Sequence, residues 1–324
     1  MSLNDALVFA YRFDDAGHAT ALDAGALDAP PRGPGWTWAH IDRAHANTEP
    51  WLRNTARLSA IAIDALLEEE TRPRSVPMGD GMVVILRGVN LNAGADPEDM
   101  VSLRLWVDAS RVISLRHRRV MAVQDLRDCI DRGESVASPA ALLIEIAGRL
   151  IQRMGPVLDH LNDAVDEVEE AVLEAPGNEL RSKLSKLRRQ AISLRRFLAP
   201  QREALLRLET DRSTNFRDVD RGHLREIAER LTRHIEALDS ARDRAAVTQE
   251  ELAGRISDQM NRNMYVLSLV AGIFLPLGLL TGLLGMNVGG MPGVDNNWGF
   301  AIVCAVLVAL AGFAVWLFRR LRIM

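Results

Sequence analysis

The sequence predicts an α+β domain with long helices, followed by two helices that cross a membrane close to the C-terminus. Three observations predict it. Residues 264–284 and 298–318 contain no charged side chain. Short runs rich in Val, Ile, Leu and aromatic residues, separated by turn residues, occupy residues 1–138. From Pro139 onward, apolar residues recur at helical spacing and Pro and Gly become sparse until the membrane segments.

In the first region, Leu7–Phe13, Gly35–Ile41, Met82–Arg87, Met100–Val107 and Arg111–Arg116 are expected strands. Thr48–Glu70 is expected to be helical, with Leu52, Ala56, Ile61, Ala65 and Leu66 on its apolar side. Gly94–Pro97 is an expected turn. Helix is expected again over Met121–Ile130. Residues 139–215 should form a helical hairpin, one arm running from Pro139 to Ala175 and the other from Glu179 to Glu209, bent at Pro200. The first arm is acidic over Asp159–Glu174 and the second basic over Arg181–Arg196. Such arms suit a solvated antiparallel pair with mutually neutralising faces; an ion-attracting surface is the alternative.

A third helix should begin near Phe216 or Val219, form a stalk over residues 216–263, and continue into the first membrane span, 264–284. A helix from 216 to 284 is about 100 Å long. Each charge-free run is close to the ~20 residues that cross a bilayer. Arg255 and Arg262 precede the first span, and Arg319, Arg320 and Arg322 lie in the basic tail, 319–324. The connecting loop, 285–297, has no Lys or Arg and a single acid, Asp295. Positive charge stays inside, so both termini are expected in the cytoplasm and the loop outside. Trp298 and Trp316 lie near the two ends of the second span, 298–318.

A net charge of -4 and a pI near 6.0 give no reason to expect nucleic-acid binding. Cys129 and Cys304 are the two cysteines, too few for a disulfide framework. Met1–Asp5 has neither a basic nor an apolar leader pattern, so no cleaved signal peptide is expected. No phosphate loop, H-E-x-x-H or paired CxxC occurs, and no catalytic constellation or cofactor is expected. His40 and His45 flank Asp42, a weak candidate for metal. His117 sits among Arg116, Arg118 and Arg119, which oppose a cation. Glu68–Glu70 reads as a helix end.

Two helices do not enclose a water-filled path, so conduction would need several copies around an axis. In the first span Asn261, Met264, Ser268, Ala271, Leu275, Gly278 and Gly282 form a stripe of low polarity at helical spacing. An ion passing it would find no charged ligand and would stay largely hydrated. Gly272, Gly278, Gly282 and Gly285 allow close backbone approach. Pro276 cannot donate to the carbonyl of Gly272. Thr281 lies off the stripe and should bond to its own helix. After the span come Gly285-Met286-Asn287 and the glycine-rich Val288–Gly293. A ring of Asn287 amides could hydrogen-bond the water shell of a divalent cation, which dehydrates reluctantly.

Gly285-Met286-Asn287, directly after a helix containing Phe274-Leu275-Pro276-Leu277, resembles the signature of CorA-type metal-ion transporters. Val288–Gly293 is similar to the zinc-transporting ZntB branch of that family. Glu69–Arg74, Arg87–Asn92 and Leu194–Arg202 are similar to it as well. The resemblance implies a CorA-like, funnel-shaped homopentamer in the bacterial inner membrane, taking up zinc with proton coupling. It implies a pore entrance at Gly285, Met286 and Asn287. It implies a pore lined by Asn261, Met264, Leu267, Ala271, Leu275 and Gly278, where Leu267 replaces the Ser268 of the stripe. Gly278 stands where the family often has a hydroxyl, which weakens the case for a second polar ring. The implied partners are other copies of the chain, divalent ions and the lipid bilayer. A magnesium, cobalt or nickel channel, and a membrane-anchored signalling or scaffold protein, are the alternatives.

Overall fold

The computed structural model describes residues 3, 5–28, 34–174, 177–211, 216–286 and 297–320. These divide into two units, 1–249 and 250–324.

The first unit is built on a seven-stranded sheet in the order β2-β1-β3-β7-β6-β5-β4. Its strands are β1 (Leu7–Phe13), β2 (Ala19–Leu22), β3 (Trp36–Asp42), β4 (Arg74–Met78), β5 (Gly81–Gly88), β6 (Val101–Asp108) and β7 (Arg111–Arg116). Every pairing is antiparallel except β3 with β7. The sequence-predicted strands are all present, within a residue of the expected bounds. The unpredicted strands, β2 and β4, are the two edges. Both are short, and β4 carries Pro77, which an edge tolerates because no ladder bond is lost.

A short helix, α1 (Ala24–Asp28), follows β2, and longer helices cover both sheet faces. Ala39, Ile41, Val83, Ile85, Ile113 and Leu115 pack with Trp51, Leu52, Ile63 and Leu66 of α2 (Thr48–Asn54) and α3 (Ala60–Leu67). The opposite face is covered by α4 (Met121–Asp131), α5 (Pro139–Gln152) and α7 (Asn178–Thr210). That is why β5, β6 and β7 are buried along most of their length rather than at alternate positions.

Two expected helices are divided. Between α2 and α3 the chain turns through Arg57 at φ 54°, and Ser59 then caps α3 by accepting from the backbone N–H of Ala62 at 3.3 Å. The Pro139–Ala175 arm breaks at Arg153–Met154 into α5 and α6 (Gly155–Glu174). Gly155-Pro156 marked that break, since a proline belongs in a first helical turn and not in an interior. Arg153 secures the corner with two bonds to the Asp125 carboxylate of α4, at 2.5 and 2.6 Å. Pro200 lies inside α7, which runs unbroken.

The mutual neutralisation expected of α6 and α7 is corrected. Among the described residues their long-range ion pairs run to α8 (Asp218–Leu284) instead. Arg244 of α8 binds Asp166 and Glu169 of α6, and Arg195 of α7 binds Asp239 at 2.7 Å.

Gly35 opens β3 at φ 111°, and a Cβ there would stand 2.1 Å from the Phe13 carbonyl oxygen. Gly35→Ala should therefore cost at least about 2 kcal/mol, as backbone strain and a backbone clash add. A thermal melt of the purified protein should show a transition several degrees lower; an unchanged melt would contradict the strained turn.

Candidate functional site

The second unit holds the end of α8 and α9 (Gly299–Arg320). Both are long and apolar enough to cross a membrane, and neither apolar window is buried within the chain. Surfaces of that kind need lipid or other protein as solvent.

Along α8, Leu269, Ile273, Leu277 and Leu280 are the half-buried positions, spaced three or four apart. On α9, Val303, Leu307, Ala311, Ala314, Val315 and Phe318 repeat the same pattern. These two rows form the seam of the hairpin. Gly272 lies beside it: a Cβ at that position would be 3.0 Å from the Phe318 ring. The absence of a side chain at Gly272 thus leaves room for the Phe318 ring.

At 3.6 residues per turn, Asn261, Met264, Leu267, Ala271, Leu275 and Gly278 lie on the half of α8 about 180° from the seam. All six are exposed, Met264 by 62%, Leu267 by 69% and Leu275 by 70%. Leu267 and Ser268 flank the centre of that half on opposite sides. A Cβ at Gly278 or Gly282 would meet nothing within 4 Å. Thr281 bonds to its own helix, donating to the carbonyls of Leu277 at 3.0 Å and Gly278 at 3.1 Å. Gly285 closes the helix by donating to the Thr281 carbonyl at 2.9 Å, and Met286 is half exposed. Asn287, the glycine-rich segment and Arg322 lie outside the described residues.

The histidine pair near β3 does not converge. His40 is fully buried, stacked on Phe9 with ring centroids 4.9 Å apart, and its Nδ1 is 2.8 Å from Ser114 Oγ. Burial drives its pKa down to about 3, helped by Arg116 and Arg127. His45 Nδ1 accepts from the Asn47 backbone at 3.2 Å, and Asp42 accepts from Ala44 at 2.8 Å. Among the described residues no three His, Cys, Asp or Glu side chains gather as metal ligands. Glu68 caps the end of α3 and pairs with Arg74 at 2.8 Å.

The seam was missed in the sequence, although Leu269-Ile273-Leu277 has regular spacing. Every side of the span carries large apolar residues and none is charged, so the pattern does not single out the side facing α9.

An α/β domain joined through one long helix to an apolar two-helix hairpin defines an integral membrane protein with a large soluble part. The chain belongs to the family described as CorA-like Mg2+ transporter protein, whose model matches residues 33–320. It is a family of divalent-cation transporters rather than enzymes. The chain is 43% identical over 287 residues to the divalent cation transporter CmaX of Pseudomonas aeruginosa, covering 88% of this chain and 86% of that one. It is 36% identical over 318 residues to the zinc transport protein ZntB of Yersinia enterocolitica, covering 98% and 96%. The structure of full-length CmaX matches with a TM-score of 0.86 at 40% identity, over 98% of both chains. The resemblance read from the Gly285-Met286-Asn287 signature and its flanks is thus borne out.

Proposed function

We propose that this protein is a homopentameric zinc importer of the bacterial inner membrane, with α8 lining the path. The observation that carries this reading is the uncharged stripe opposite the α9 seam. It is uncovered by its own chain, and its Asn261, Ala271 and Gly278 are smaller or more polar than the Leu and Ile side chains of the seam. Five copies, each turning that side inward, would enclose a neutral passage. Ions would cross it hydrated, past Asn261 at one end and a ring of Gly285, Met286 and Asn287 at the other.

The basic residues flanking both spans favour cytoplasmic termini. Zinc is supported by the likeness to ZntB, which covers almost the entire chain. The spans hold no Asp, Glu, His or Lys, so proton coupling would need carriers outside them. A negative interior alone favours entry of a divalent ion by about 4.6 kcal/mol per 100 mV. The name of the CmaX relative specifies no metal, which favours a broader divalent channel as the second reading.

Liposomes containing the purified protein and a metal-sensitive dye test the proposal. Zinc should enter under a zinc gradient, and competition with cobalt, nickel and magnesium should rank the metals. An imposed proton gradient should raise the rate only if transport is coupled. Asn287→Ala should lower uptake several-fold while the oligomer stays intact on gel filtration. No flux of any metal under any gradient would leave the hairpin a mere anchor.

A further inference from the structure

A cavity of about 360 Å³ opens in the first unit beside the end of β5, the start of β6 and α7. Three segments singled out in the sequence, 69–74, 87–92 and 194–202, contribute to its wall. Five arginines line it: Arg43, Arg87, Arg104, Arg118 and Arg196.

The inner three are held by neutral acceptors. Arg104, only 3% exposed, donates to the carbonyls of Leu66 at 2.9 Å and Glu69 at 3.1 Å, and to Ser102 Oγ at 3.3 Å. Arg87 donates to the carbonyls of Thr71 at 2.7 Å and Met100 at 2.8 Å, and Arg43 to that of Leu67 at 2.8 Å. The Nε atoms of Arg43 and Arg87 are buried without a partner. The guanidinium groups of Arg87 and Arg196 both stand over the Phe197 ring, at 4.3 and 4.7 Å.

The cavity wall also carries Glu69, Glu98 and Asp99, but among the described residues none forms an ion pair with these arginines. Glu68, nearby, is engaged by Arg74. Burial, followed by the charges of Arg43 and Arg87, pushes Arg104 down to about 10. Burial and Arg196 likewise lower Arg87. The carboxylates of Glu68 and Glu70 offset these shifts only in part, and clustered positive charge without a paired counter-ion is costly in a protein interior. A bound anion would remove that cost.

We propose that this cavity binds a small phosphate-bearing anion of the size of pyrophosphate or a nucleotide. Several planar guanidinium forks converging on one space suit a tetrahedral group with many acceptor oxygens. The volume lies at the lower end of the range for small-molecule sites, about 300–1,000 Å³. Cations are disfavoured there, so this site is separate from the ion path.

Calorimetric titration of the purified full-length protein in detergent, with EDTA and the sodium salts of pyrophosphate and ATP, tests this. One saturable site per chain is expected for at least one of them, weakening as salt rises. Arg118→Glu and Arg196→Glu, at exposed positions where folding should be unaffected, should each weaken binding at least tenfold. Arg53→Glu, on an exposed face of α2, should leave it unchanged, and citrate should bind at least tenfold more weakly than pyrophosphate.

Absence of saturable binding would overturn the proposal. So would binding unmoved by either variant (an adventitious ion only), or equal binding of citrate. Dissociation of the oligomer in both variants, without any anion effect in the parent, would make the cavity a subunit contact and overturn it too. No step of the titration involves transport, so its failure leaves the zinc-uptake reading untouched.

Discussion

A Leu275→Cys protein treated with a cationic thiol reagent should lose at least nine-tenths of its zinc uptake. The background is Cys304→Ala, because Cys304 is exposed and Cys129 is buried. Leu275 is 70% exposed and stands about half a turn from the α9 seam. In a pentamer with that side inward, labelling would place up to five positive charges around the passage. A divalent ion about 8 Å from one such charge is repelled by ~4 kcal/mol at an effective dielectric constant of about 20. A tenfold loss needs only about 1.4 kcal/mol, so incomplete labelling would still be visible. Val308→Cys on α9, at a position 72% exposed, is the control and should leave flux near that of the background. Complete modification of Leu275→Cys, verified by mass, with undiminished flux would exclude this side of α8 from the ion path.

Stability of the soluble unit should fall as pH drops from 6.5 to 5, by up to about 1.4 kcal/mol per pH unit from His40 alone. The sign follows from the two pKa values. Folded His40 titrates at about 3, whereas an unfolded histidine titrates near 6.5. Between those values the unfolded chain binds a proton that the folded chain refuses. Stability is therefore complete above pH 6.5 and declines on acidification until the folded pKa is reached. His234, lowered by burial, adds a contribution of the same sign. The depressed carboxylates Asp108 and Asp220 act in the same direction but at lower pH, below the ordinary carboxylate range. His40→Phe keeps a ring against Phe9 and removes the titration. Denaturation midpoints measured from pH 7 to 5 should give a clearly shallower slope for His40→Phe than for the parent. Equal slopes would mean that His40 is not the group responsible.

The pattern of residues alone determined the membrane hairpin, because two charge-free runs of bilayer length have few other uses. It determined the central strands as well. β3, β5, β6 and β7 are each rich enough in buried apolar residues to be recognised without their partners. It also located the stripe of α8, since helical spacing carries over unchanged into the structure.

Tertiary structure decided what depends on a neighbour. β2 and β4 exist because an edge of the sheet was free to pair with them, and nothing in Ala19–Leu22 or the proline-bearing Arg74–Met78 demands a strand. The acid of α6 and the base of α7 could have cancelled each other, yet both turn to α8, because Arg244 and Asp239 lie within reach of them. His40 looked like half of a metal site beside His45. The parallel pairing of β3 with β7 sets it opposite Ser114 and inside the core. In the membrane span of α8 large apolar residues occur on every side, and only the position of α9 distinguishes a packed side from an open one. Local patterns encode what a segment can become. Pairing, burial and charge partners are long-range, so they appear only when distant segments meet.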